Sequence, residues 1–291
     1  MSSIKTILAA VSGGTASGGA AELACRLARR FEAHIEGFHA KPDPLDLFRF
    51  DASVGEGITG DFIDKFTDDT NAAAAKVRAE FVAALERHGM TLAPHVAGAL
   101  LGKIGASASW REAMGDGPAL VARRARFFDL AVLGRSERAI DQIHSDAVEE
   151  TLTRSGRPVL LAPAKAPETI GERVLLGWNG SAEAVRALTG AQPFLSTARE
   201  TFVVSIGDQH HDSAHAAVEY LAWHDVKARH IGMPSHAGLS VGQRLLRAAV
   251  EQGGDLLVMG AYGHMPWREF LFGGATREVI GTGVVPVLLS H

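Results

Sequence analysis

The chain has 291 residues, 46% of them apolar and 21% charged, a mix that suits one or two soluble globular domains and excludes a disordered polymer. A formal charge of -4 without any Lys/Arg cluster argues against a nucleic-acid partner held on a broad basic face. Cys25 is the single cysteine, which excludes an intrachain disulfide or a cysteine-rich zinc site and points to a reducing cytoplasm. The opening MSSIKTILAAVSGG has no secretory pattern, and no later run reaches membrane-spanning length, so no membrane association is expected.

In chain order, Ile7 to Val11 reads as a buried strand closed by Ser12-Gly13-Gly14. A helix follows from about Ser17 to Phe31, because Ala20, Leu23, Ala24, Leu27 and Phe31 recur at helical spacing. Ile35 to Ala40 is a second strand, ended by Pro42 and Pro44. A mixed loop from Asp43 to Gly60 leads into a long helix ending near Gly89. Thr91 to Val96 is then the expected third strand, with a helix around Leu120 to Ala125, a strand over Asp129 to Gly134 and a short fifth strand at Val159 to Leu161.

The pattern then restarts. Val174 to Ser181 repeats the opening strand and turn at an offset of about 167 positions, followed by helix, strand (Thr201 to Ile206), helix, strand (Val226 to Ile231) and helix (Leu239 to Glu251). Asp255-Leu256-Leu257-Val258-Met259-Gly260 matches Asp129-Leu130-Ala131-Val132-Leu133-Gly134 at an offset of only about 126. Some forty extra residues are therefore expected in the middle of the first half. Val285 to Leu289 supplies the last strand. Alternating strands and helices demand parallel sheets with right-handed crossovers and helices on both faces. Two domains follow, residues 1–166 and 167–291, joined by a Pro/Ala-rich linker over Ala162 to Gly171. Each fifth strand is short and apolar and follows a proline, Pro158 or Pro286. The two are expected to pair about a pseudo-two-fold axis, so that the tandem forms an intramolecular pseudo-dimer, with a further homodimer left open.

The chemistry concentrates after the fourth strand of the second half. Gly260, Gly263 and the pair Gly273-Gly274 punctuate a strand end and a helix start, where backbone can approach a ligand and free N–H groups favour negative charge. The alternative is that these glycines only shape a tight connection.

The spacing Gly260-x2-Gly263-x9-Gly273, the turn Trp178-Asn179-Gly180-Ser181 and the closing Val285-Pro286-Val287-Leu288 resemble the universal stress proteins in their tandem two-domain form. The resemblance covers essentially the whole chain. It implies two Rossmann-like α/β domains, each a five-stranded parallel sheet of order 3-2-1-4-5 flanked by helices, with ATP or a related adenine nucleotide, with or without Mg, in the crevice between strands 1 and 4. Carried over, the adenine pocket would involve Gly177, Asn179, Ser205 or Ile206, and Met259. The ribose and phosphates would lie on Gly260, Gly263, His264, Gly273, Gly274, Ala275 and Thr276. Gly274 stands where the family has Ser or Thr, and Asn179 where ATP-binding members often carry an acid. No catalytic residue is implied, and hydrolysis would be slow at most, since no general base, carboxylate pair or activated nucleophile accompanies the glycines. The competing expectation is a structural or interaction module with both crevices empty.

In the first half, Arg135-Ser136-Glu137-Arg138 follows Gly134. A carboxylate there, at Glu137, would repel phosphate, so this half reads as a degenerate copy. Three further signals take plain readings. Ser12 to Ser17 looks like a ligase pyrophosphate loop but has Ala16 where the acid belongs, and reads as a helix-entry turn. His210, His211, His215 and Glu219 read as a solvated helix start with Asp212 near its cap rather than a metal site. Cys25 reads as a buried, inert thiol, and Trp267, Phe270, Leu271 and Phe272 as packing.

Overall fold

A computed structural model describes residues 4–44, 60–93, 105–135, 142–235, 238–261 and 285–291. Five strands come from the first half: β1 (Thr6–Ala10), β2 (His34–Lys41), β3 (Ser107–Met114), β4 (Leu130–Gly134) and β5 (Val159–Ala162). Five come from the second: β6 (Arg173–Trp178), β7 (Glu200–Ile206), β8 (Ala228–Met233), β9 (Leu256–Gly260) and β10 (Val287–Ser290). All ten share one sheet, ordered β3-β2-β1-β4-β5-β10-β9-β6-β7-β8. Pairing is parallel within each half. The halves meet through β5 and β10, which run antiparallel with Val287 opposite Leu161, Leu288 opposite Leu160 and Leu289 opposite Val159.

The apolar runs follow from burial on both faces. Ile7, Leu8 and Ala9 are all fully buried, as are Val174, Leu175 and Leu176. Alternate strand residues feed two separate cores. Ile7, Ala9, Val174 and Leu176 face one helical layer, α1 (Gly14–Phe31), α2 (Gly60–Arg87), α5 (Ala182–Gly190), α6 (Gln192–Leu195) and α7 (His211–Ala222). Leu8, Leu175 and Leu257 face the other, α3 (Gly117–Ala125), α4 (Gln142–Arg154) and α8 (Val241–Glu251). Both helices that open the second half's layers start where the sequence supplies a cap. Ser181 accepts from the Ala184 N–H at 3.2 Å, and Ser240 with Gln243 forms a reciprocal capping box.

The repeat has a physical counterpart at the strand starts. The Asp129 carboxylate accepts the N–H groups of Lys5 and Thr6 at 2.8 and 3.0 Å, holding β1 against β4. Asp255 does the same in the second half for Glu172 and Arg173, at 3.1 and 2.9 Å, holding β6 against β9. Charge-assisted bonds of this kind contribute about 1.5–3 kcal/mol each. The linker is also tied down. On α1, Arg26 donates to the Pro167 carbonyl at 2.7 Å, and Arg30 donates to the Ile170 carbonyl and to the Thr197 hydroxyl.

Two expectations need correction. The third strand is Ser107–Met114 and not Thr91 to Val96; of the described part of that run, residues 91–93, Leu92 makes an isolated bridge to Ala108 and the Ala93 N–H donates to the Ala108 carbonyl at 2.8 Å. β3 is a sheet edge with one partner, so it carries the polar sequence SASWREAM and gives no apolar signal. The last strand starts two residues later than expected, at Val287 and after Pro286, since a proline cannot donate to the ladder. The long α2 helix lies between β2 and β3 in sequence, on the wing of the sheet away from the β5–β10 join, as expected of the inserted residues.

Candidate functional site

The carboxyl ends of β6, β7 and β9 lie side by side in the second half, with Gly177 in register with Met259, and Trp178 with Ser205. Strand order reverses between β6 and β9, which opens a crevice beyond the strand ends. Of the expected site residues, Gly177, Ser205, Ile206, Met259 and Gly260 fall at these ends, and Asn179 follows one residue beyond β6. Gly263, His264, Gly273, Gly274, Ala275 and Thr276 lie outside the described residues.

Each described residue has a local reason for its place. Gly177 lets the Leu245 side chain of α8 sit on the sheet, because a Cβ there would come within 3.0 Å of it. Gly260 lets the start of α5 cross the end of β9; a Cβ would lie 2.6 Å from the Ala184 nitrogen. Met259 and Ile206 are 6% and 8% exposed and share one apolar layer with Leu245, making a hydrophobic floor at the strand ends. Asn179 accepts from the Ser181 N–H at 3.1 Å in a turn completed by Gly180 at φ +72°.

Ser205, at the end of β7, has a partner within the domain. The residue is fully buried and its hydroxyl hydrogen bonds His230 Nε2 at 2.8 Å. His211 and His215 do share a helix face, and that face is turned to the same imidazole, with ring centroids 5.2 and 4.6 Å from His230. Burial, then the neighbouring His215 and His211, push the His230 pKa down. α7 begins after His210, with no side-chain cap from Asp212. Among the described residues no group of three or more His, Cys, Asp or Glu is placed to hold a metal ion.

The matching crevice of the first half encloses about 100 Å³, lined by Val11, Ser12, Ser17, Phe38 and Gly134 among others. Typical ligand pockets start at about 300 Å³. Ser17 closes the turn by accepting from the Ser12 N–H at 2.8 Å, with Gly13 at φ +88°. The segment is thus a helix-entry turn.

No family model matches the sequence. The universal stress protein of Archaeoglobus fulgidus has the same architecture at a TM-score of 0.73 and 17% identity, over 98% of this chain and 95% of its own. The universal stress protein Slr1230 of Synechocystis sp. is 31% identical over 168 residues, 55% of this chain and 57% of that protein. The chain is thus similar to the universal stress proteins, in sequence over part of its length and in fold over nearly all of it. A putative universal stress protein from Pseudomonas aeruginosa shares the fold more loosely, at a TM-score of 0.58 and 15% identity over 99% of this chain and 93% of its own. This chain therefore carries the doubled form of the fold in one polypeptide. Its sequence match to Slr1230 reaches little over half of that relative's length. No helix among the described residues is long and apolar enough to cross a membrane.

Two features of this chain have no recognisable motif in its sequence. The Asp129 and Asp255 clamps were visible as a repeated aspartate but carried no motif. The contact of Gly260 with α5 has no sequence signal, because its partner Ala184 is separated from it by most of the domain.

Proposed function

We propose that this chain, as a universal stress protein, binds ATP or a related adenine nucleotide, one per chain, in the crevice of its second domain, residues 167–291, and acts as a regulator with slow hydrolysis at most. The observation that carries this reading is the floor of Met259, Ile206 and Leu245 at the strand-order reversal. A flat heterocycle suits such a floor. By the resemblance, Gly263, His264, Gly273, Gly274, Ala275 and Thr276 would supply the phosphate cradle, with Mg as an optional companion. Residues 1–166 form the degenerate copy, with Glu137 in the place of a cradle glycine.

The second reading is a tandem interaction module with both crevices empty. It is favoured by Gly177 and Gly260 each having a packing reason that needs no ligand. Denaturing the purified protein and assaying the supernatant by absorbance and mass separates the two: the first reading expects about one adenine nucleotide per chain, or one titratable site if the protein is isolated empty. Gly263→Glu is expected to abolish that binding while leaving the fold intact, through like-charge repulsion with phosphate. Two equivalent sites, or undiminished binding in the variant, would overturn the assignment.

A further inference from the structure

Arg135 follows the last residue of β4 and is 5% exposed. Its backbone N–H donates to the Ala162 carbonyl at the end of β5, at 2.9 Å, and its side chain reaches the seam between the halves, where Nη2 lies 3.5 Å from the carbonyl of Val285, just ahead of β10. That single contact is long. Among the described residues neither Nε nor Nη1 has a hydrogen-bond partner, although both atoms are buried, and none of the ion pairs includes this arginine. Burial pulls its pKa down to about 10, with no carboxylate among the described residues to offset the loss of water.

The pseudo-symmetric position makes this arginine a departure and not a need of the fold. In the second half Ala261 follows β9, donates its N–H to Ser290 at the end of β10 at 2.9 Å, and is fully buried in an apolar cluster. The same backbone geometry is therefore satisfied by an alanine. A guanidinium in that place, short of acceptors, is strongly unfavourable unless an anion meets it.

We propose that Arg135 is the anchor of a second, small-anion site at the seam of the two halves, taking one phosphate-class oxyanion per chain through its free Nε–H and Nη1–H groups. Arginine suits this, since its charge persists when buried and its planar donors match phosphate oxygens. The site is separate from the nucleotide crevice beyond β6 and β9, and lies where the carboxyl ends of β4 and β5 meet the chain entering β10.

Inorganic phosphate is the probe, with the full chain and its Arg135→Met variant compared in a zwitterionic, phosphate-free buffer. Any phosphate taken by the second-half crevice is common to both proteins, so the difference belongs to Arg135. The expected result has two parts. Phosphate raises the melting midpoint of the parent saturably by a few degrees more than that of the variant, and without phosphate the variant melts no lower than the parent, because a buried uncompensated charge has gone. Isothermal titration should lose one phosphate site in Arg135→Met and keep a weakened one in Arg135→Lys. Equal phosphate responses in parent and variant would overturn the proposal. So would a variant less stable than the parent in anion-free buffer, which would mean that a carboxylate of the chain itself already holds the guanidinium.

Discussion

Leu160 and Leu288 stand opposite each other in the one antiparallel pairing among the described strands, and both are fully buried. Through this contact two five-stranded sheets become a single ten-stranded one, so the centre of the molecule is a junction between repeats.

Truncating that junction should cost what a core truncation costs. Leu160→Ala is expected to lower stability by about 2–5 kcal/mol, and Leu160→Lys or Val287→Lys by more, since each places a charge in a dry seam. Urea unfolding gives the magnitude, and limited proteolysis across residues 163–171 reports whether the halves separate. A lysine variant as compact in solution scattering and as resistant as the parent would mean that the seam does not hold the halves together.

Two neighbouring glycines on α1 should respond with opposite sign. A Cβ on Gly18 meets nothing within 4 Å, so Gly18→Ala should stabilise the protein by about 0.5–1 kcal/mol through helix propensity. At Gly19 a Cβ would lie 2.0 Å from the Pro163 carbonyl oxygen, backbone that cannot give way. Gly19→Ala is expected to destabilise by about 1–3 kcal/mol, as overpacking does. Paired thermal melts decide this, and equal shifts would contradict the close packing of α1 on the linker.

Acidification should loosen the α7–β8 contact. His230 is pushed below its ordinary value by burial and by His215 and His211. Of the charges on the facing turn, the Asp208 carboxylate lies 3.8 Å from His211 Nε2. The unfolded chain therefore takes up a proton at a higher pH than the folded one. Stability from this group is complete above about pH 6.5, the unfolded value, and is lost as pH falls through the lower folded value. Melting midpoints between pH 7.5 and 5 should fall less steeply in His230→Gln than in the parent; parallel curves would remove His230 from the account.

Cys25 is fully buried, and burial first, then Glu22, raises its thiol pKa to about 12. The native protein should therefore resist iodoacetamide at pH 8 and react once denatured, with mass spectrometry as the readout. Rapid labelling of the folded chain would show α1 opening from the sheet.

Much of this fold was legible because buried parallel strands announce themselves. Ile7 to Val11, Val174 to Trp178 and Leu256 to Met259 are apolar runs bounded by glycines or turns, and the pairing of Val159–Leu161 with the last strand followed from two short proline-led runs. β3 was missed for the converse reason: Ser107–Met114 has one strand neighbour, so its residues Arg111 and Glu112 can face water and its pattern reads as loop. Of the candidate crevice, the strand-end positions came from the resemblance, with the repeat marking the strands that carry them. The preference of Ser205 for His230 could not be placed, since it depends on the register of β7 with β8, which no local pattern encodes.

The central place of β5 also bears on how the chain is made. During synthesis the first half can close β1 to β4 around its own cores, yet β5 must wait with one bare, apolar edge until the whole second half has been translated and β10 arrives. For that interval Val159–Ala162 presents an open strand to any neighbour on the same message, including the β5 of a second nascent copy. Closely spaced ribosomes would then favour exchange of β10 between chains, yielding an intertwined pair whose every local contact is the one found in the monomer.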